Sequence, residues 1–105
     1  MDDRKYQTMR EHADQLHDSE DYQAAIELYN AIIADRPDDA EVILARCAAF
    51  HGLEDYSSAI ADAERVLEID PDNSRATFNL ALALDLSGNT PASVEHFERA
   101  LRCDP

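Results

Sequence analysis

"LEIDPDNSRA", from Leu67 to Ala76, closes an apolar stretch with Asp-Pro, adds a polar triplet and opens a new segment. Pro71 has no backbone N–H and cannot continue a helix, while Asp72, Asn73 and Ser74 supply the side-chain acceptors that start one. The same punctuation recurs in "ADRPDDAEV" at Pro37 and in "RCDP" at Pro105, 34 residues to either side. A stop signal at a fixed interval marks a repeat array, in which no unit buries its apolar face alone.

With the three prolines in register, "DYQAAIELYNAIIADRP" falls over "DYSSAIADAERVLEIDP" and "NTPASVEHFERALRCDP". Ala25, Ala59 and Ser93 coincide, as do Ile26, Ile60 and Val94, and Ile33, Leu67 and Leu101. Upstream, Ala13, Cys47 and Ala81 share a small-residue slot, and Leu16, Phe50 and Leu84 a larger apolar one. The apolar spacing inside each unit is helical: Ala25, Ile26, Tyr29, Ile32 and Ile33 form one stripe, and Ala59, Ile60, Ala63, Val66 and Leu67 the next. Short polar turns, "HDSED", "HGLED" and "LSGNT", separate the two stripes of a unit, with Asp21, Asp55 and Asn89 placed as N-caps. Asp38 with Glu41 suits a capping box, and Pro91 suits a first helical turn. The reading is all-α: six helices over about 4–17, 22–34, 39–51, 56–68, 73–86 and 91–102, in units of about 6–39, 40–73 and 74–105 that make one domain, 1–105. Small residues at Ala13 and Ala25, Cys47 and Ala59, and Ala81 and Ser93 allow the two helices of each unit to approach closely.

A 34-residue helix–turn–helix unit with an early small residue, alanine after the turn and a closing proline resembles the tetratricopeptide repeat. The resemblance runs from about Tyr6 to Pro105 and departs mildly from the pattern. Met9, Ile43 and Thr77 stand where a large aromatic often opens the unit, His12 replaces an apolar residue, and Thr90-Pro91 replaces the tyrosine of the other turns. The resemblance implies three tandem repeats stacked as a right-handed α-solenoid, with the first helix of each unit lining a concave face. It implies a non-catalytic scaffold that binds a peptide or a partner segment in that groove.

In repeat register the groove takes Arg10, Asp14 and His17 from the first unit, Leu44, Ala48 and His51 from the second, and Arg75, Phe78, Asn79 and Leu82 from the third. Gln7, Glu11, Glu41, Ala45 and Asp85 fall on the same faces. The groove is therefore expected to be polar and acidic at one end and apolar at the other, with Leu44, Phe78 and Leu82 as the apolar contact surface. One subgroup of the family clamps the C-terminal carboxylate of heat-shock chaperones with lysine, asparagine and arginine. Mapped here, Arg10 and Arg75 keep basic positions, but Asp14 and Ala45 replace asparagines and Asn79 replaces arginine, so a chaperone-tail role fits poorly. At the C-terminal end, Val94, Leu101 and Cys103 are expected to lie partly bare. That raises a fragment of a longer array, or homo-oligomerisation through that end, as the alternative.

The net charge of −14, with one lysine among nine basic residues, disfavours nucleic acid and acidic membrane surfaces as partners. Residues 1–39 carry 11 acids against 4 bases, residues 40–73 carry 8 against 2, and residues 74–105 carry 4 against 3, so the field concentrates in the first two units. No apolar run approaches the roughly 18 residues of a membrane helix, and "MDDRKYQTMREH" has no signal-peptide core, which fits a soluble cytoplasmic protein. The two cysteines lack metal or disulfide spacing, and both glycines sit at turns rather than in a phosphate loop. His17, His51 and Asp85 are equivalent positions on successive first helices. Neighbouring helices stand about 8–10 Å apart, too far for one metal ion. No enzyme, metal or cofactor is expected.

Overall fold

The computed structural model describes residues 1–88 and Glu98. Helix α1 spans Asp3–Asp18, α2 Tyr22–Asp35, α3 Ala40–Gly52, α4 Tyr56–Ile69 and α5 Ser74–Leu86. Each boundary falls within one residue of the periodicity-based expectation, because caps and turns set helix ends locally. The sixth expected helix, 91–102, lies outside the described residues. No helix among the described residues is long and apolar enough to cross a membrane.

Side-chain caps start four of the five helices. Asp2, Asp39, Asp55 and Asn73 accept from the N–H groups of Lys5, Val42, Ser58 and Ala76. Two expected caps shift. Asp21 holds the N-cap position of α2 but makes no side-chain cap bond. The cap of α3 is Asp39 rather than Asp38, whose carboxylate accepts from Arg65 of α4 at 2.6 Å. Helix ends are also tied from behind. In the first two units the chain leaves the first helix through a left-handed residue, Glu20 at φ 63° and Glu54 at φ 60°. The next amide then bonds back over the turn, Asp21 N–H to Leu16 C=O at 2.8 Å and Asp55 N–H to Phe50 C=O at 2.9 Å. This is a Schellman closure, which glycine fits best. The equivalent third position carries Gly88, at φ 96°.

Consecutive helices pack as antiparallel neighbours, and α3 also touches both α1 and α5, whereas α2 and α4 do not touch. A row that touches facing a row that stands apart is a curved stack, with the first helices on its inner side. The helices of a unit meet on residues with almost no side chain: Ala13, Ala25, Cys47 and Ala59 are all fully buried. The Cys47 thiol donates to the Ala59 carbonyl at 3.3 Å across the α3–α4 pair, and burial pushes its pKa up to about 12, so it is a packing residue and not a nucleophile. Larger side chains fill the spaces between pairs. Tyr29, Ile32 and Val42 close the α1–α2–α3 layer, and Ile43, Leu44, Val66 and Ala76 the layer from α3 to α5. Gly52 admits the Tyr22 ring to the end of α3, where a Cβ would meet it at 2.5 Å.

One ionic contact in this framework has no counterpart in the expected pattern. Arg46 of α3 grips Asp62 of α4 with two bonds, Nε to Oδ2 at 2.9 Å and Nη2 to Oδ1 at 2.6 Å. Its remaining Nη1 donates to Asn30 Oδ1 of α2 at 2.9 Å, so a single guanidinium spans the gap between the outer helices. Asp62 is buried, with 5% exposure. In register, Arg46 takes the slot of His12 and Leu80, and Asp62 that of Leu28 and His96, so an ion pair stands where the other units carry leucine or histidine.

A buried pair costs most when halved and little when both partners become apolar. Asp62→Ala should lower the urea unfolding free energy by about 3 kcal/mol, while Arg46→Met with Asp62→Leu should return to within about 1 kcal/mol of wild type. A double variant as unstable as the single one would refute the assignment. Glu54→Gly should raise the unfolding free energy by about 0.5–1 kcal/mol, because left-handed backbone penalises a side chain more than glycine's extra entropy costs.

Candidate functional site

The inner surface begins on α1 with a braced polar patch. Arg10 Nη1 donates to Glu41 Oε2 of α3 at 3.0 Å and to the Tyr6 hydroxyl at 3.3 Å, and its Nε lies 4.0 Å from Asp14 Oδ2. The Tyr6 hydroxyl donates onward to Asp39 Oδ2 at 2.6 Å. Asp14 accepts from the Tyr29 hydroxyl of α2 at 2.5 Å. Burial and then the Asp14 carboxylate raise the Tyr29 pKa, and burial and then Asp39 raise that of Tyr6, so both phenols stay protonated donors. Burial pulls the Arg10 pKa down, but its bonds to Glu41 and Tyr6 outweigh this and hold it above the ordinary arginine value. Arg10 and Asp14, both expected in the groove, are therefore held by their neighbours, and the single guanidinium of Arg10 is shared between the carboxylates of Glu41 and Asp14. The braces Tyr6, Tyr29 and Asp39 were not anticipated: Tyr29 reads as one more residue of an apolar stripe, and nothing local marks its hydroxyl as a partner of Asp14.

In the middle of the surface, Ala48 and His51 of α3 are half-buried. Leu44 departs from the expectation of an exposed groove contact. It is 3% exposed and packs with Ile43, Val66 and Ala76, because the end of α4 and the start of α5 close over it. His17 and His51 each meet the tyrosine that opens their own unit's second helix. His17 stands 5.3 Å from Tyr22 and His51 6.1 Å from Tyr56, both edge-on. These contacts draw the imidazoles into the turns, and among the described residues no three His, Cys, Asp or Glu side chains converge on a point that could hold a metal ion. His51 is the more enclosed. Both its ring nitrogens are buried without a hydrogen-bond partner, and burial lowers its pKa, with a smaller opposing influence from the Asn79 backbone of α5.

The far end of the surface is α5. Phe78 is 50% exposed, Leu82 and Asn79 are half-buried, and Arg75 is exposed near the start of the helix. A half-exposed aromatic side chain on the inside of a curved stack presents apolar area at the surface. Among the described residues the inner row therefore carries charge on α1 and the start of α3, and on α5 the apolar Phe78 and Leu82 between Arg75 and Asp85. Val94, Leu101 and Cys103, assigned from sequence to an open end, lie outside the described residues.

The buried neutral imidazole has a consequence for stability. As pH falls through the ordinary histidine value near 6.5, the unfolded chain takes up a proton that folded His51 resists, so stability is lost towards acid. Between about pH 7.5 and about pH 5.5, wild type should lose more thermal stability than His51→Phe, which removes the titrating ring. Parallel losses in the two proteins would contradict the burial argument.

Known proteins share this architecture. A sequence profile described as tetratricopeptide repeat matches residues 49–105. The small glutamine-rich tetratricopeptide repeat-containing protein 2 of Mycosarcoma maydis is 34% identical over 87 residues, covering 83% of this chain and 25% of that protein. The protein SGT1 homolog of Homo sapiens is 34% identical over 85 residues, covering 81% of this chain and 23% of that protein. The chain thus spans about a quarter of the length of these curated relatives. Among solved structures, the TPR2AB domain of yeast Sti1 in its pHSP90 complex superposes with a TM-score of 0.91 at 26% identity, covering 99% of this chain and 40% of that one. The TPR2B domain of yeast Sti1 in its pHsp70 complex gives a TM-score of 0.89 at 27% identity, covering 95% and 80%. The 34-residue period, the paired helices closing on small residues and these matches agree: the chain belongs to the tetratricopeptide repeat family.

Proposed function

We propose that this chain is a non-catalytic interaction module that holds a segment of a partner protein against the inner face of α1, α3 and α5. The observation that carries the reading is Phe78, half exposed beside Leu82 on the inner helix α5. Outward-facing aromatics in monomeric domains are expected where they meet something. Arg10, Asp14, His17, Ala48, His51, Arg75, Asn79 and Leu82 fall on the same row and form the proposed contact surface; Leu44 supports it from beneath. The complexes formed by the Sti1 domains support a protein or peptide as the ligand class.

Those complexes also favour a second reading, capture of a chaperone tail. The side chains here argue against it. A carboxylate ligand would have to displace Glu41 from Arg10 at 3.0 Å and would face Asp14 beside it. Arg75 is then the cation of the row that carries no ion pair among the described residues.

Phe78→Glu should abolish capture of the partner in a pull-down while leaving the sedimenting mass and the helical circular dichroism unchanged. Undiminished capture by the folded variant would place the contact surface elsewhere. A Glu-Glu-Val-Asp peptide should show no saturable fluorescence titration; micromolar binding lost on Arg75→Ala would establish the second reading instead.

A further inference from the structure

We infer that the inner face selects an extended segment of basic character, one that seats an apolar side chain on Phe78 and Leu82 and, three to six residues away, a lysine or arginine among Glu11, Asp14 and Glu41. This rests on the reading of the inner face as the binding surface and names what that surface takes.

The apolar half is the α5 surface. Phe78 is 50% exposed, Leu82 is half-buried, and Ala48 of the neighbouring inner helix α3 is small and half-buried. An apolar anchor alone does not choose between partners, so charge decides. On α1 and α3 three inner-row carboxylates, Glu11, Asp14 and Glu41, stand against one guanidinium, Arg10; with Asp85 and Arg75 of α5 the row holds four carboxylates against two guanidinia. Arg10 is already engaged by Glu41 at 3.0 Å and approached by Asp14 at 4.0 Å, which leaves the patch negative. Arg36, Arg46 and Arg65 are each taken by a carboxylate, Asp3 at 2.8 Å, Asp62 at 2.6 Å and Asp38 at 2.6 Å, within a chain of net charge −14. A concave surface with low-dielectric walls concentrates such a field. The patch is also held in place. Asp14 is fixed by Tyr29 at 2.5 Å and Arg10 by Tyr6 at 3.3 Å, so a cationic ligand meets oriented carboxylates and orders few of them itself.

The spacing follows from helix geometry. Neighbouring helix axes lie about 8–10 Å apart, so α5 is about 9 Å from α3 and about 18 Å from α1. An extended peptide advances about 3.3 Å per residue, which converts these spans to about three to six residues.

The test is selection from a library of random dodecapeptides on the wild-type chain. The strongest peptide is then resynthesised beside a counterpart with its lysines and arginines changed to glutamate, and both are measured by fluorescence polarisation. The enriched pool should carry more Lys and Arg than Asp and Glu. At low ionic strength the selected peptide should bind about tenfold more tightly than its counterpart, with the ratio shrinking as salt is added. Glu41→Gln, which releases Arg10, should shrink the ratio too, whereas Glu27→Gln on the outer helix α2 should not. An enriched pool that is neutral or acidic but still loses affinity on Phe78→Glu overturns the charge selection and leaves the inner-face reading standing. A pool that binds Phe78→Glu as well as wild type, or no enrichment at all, overturns both.

Discussion

The structure depends on how closely two helices can approach. Within each described unit the first helix meets the second on Ala13 and Ala25, or on Cys47 and Ala59, all fully buried. A bulkier residue there would push the axes apart, and every later contact would shift with them. Tyr29 would no longer reach Asp14 at 2.5 Å from α2, nor would Arg46 reach Asp62 at 2.6 Å. The 34-residue period is the same constraint written along the chain, since each close approach needs its turn and its stop at fixed distances.

Curvature follows from what fills the remaining space. The inner helices touch, the outer helices do not, and Arg46 occupies the gap between α2 and α4 with bonds to Asn30 and Asp62. A guanidinium suits this place because its planar fork satisfies two acceptors on Asp62 and a third on Asn30. The same residue type is spent differently on the inner side. Arg10 links α1 to α3 through Glu41, so an arginine expected to serve a ligand serves the joint between units. Arg10, Arg36, Arg46 and Arg65 are thus committed to the chain's own acids, and the inner face keeps an acidic patch on α1 and α3 and the apolar Phe78 and Leu82 on α5.

Much of the fold could be read from residues alone. Proline register, apolar stripes and polar turns located all five described helices to within one residue, because helix ends depend on neighbours in the chain. Less was readable at the turns. The left-handed positions Glu20 and Glu54 carry no glycine, so their equivalence to Gly88 appears only in the backbone angles. At the inner surface, Phe78 is half exposed and Leu82 half-buried on α5. Register misjudged Leu44, since a helical position predicts a direction and not whether the next helix closes over it.

By itself the sequence determined the helices, their period, the small-residue contacts and the strongly acidic balance, because each is local or additive along the chain. Only the tertiary structure decided which acid meets which base. Twenty-three acids and nine bases admit many pairings, and the choice rests on distances set by helix approach and turn geometry. Those distances bound Arg10 to Glu41 and Arg46 to Asp62, buried Leu44 and left Phe78 half exposed. The character of the inner face therefore comes from packing, even though every residue on it is visible in the sequence.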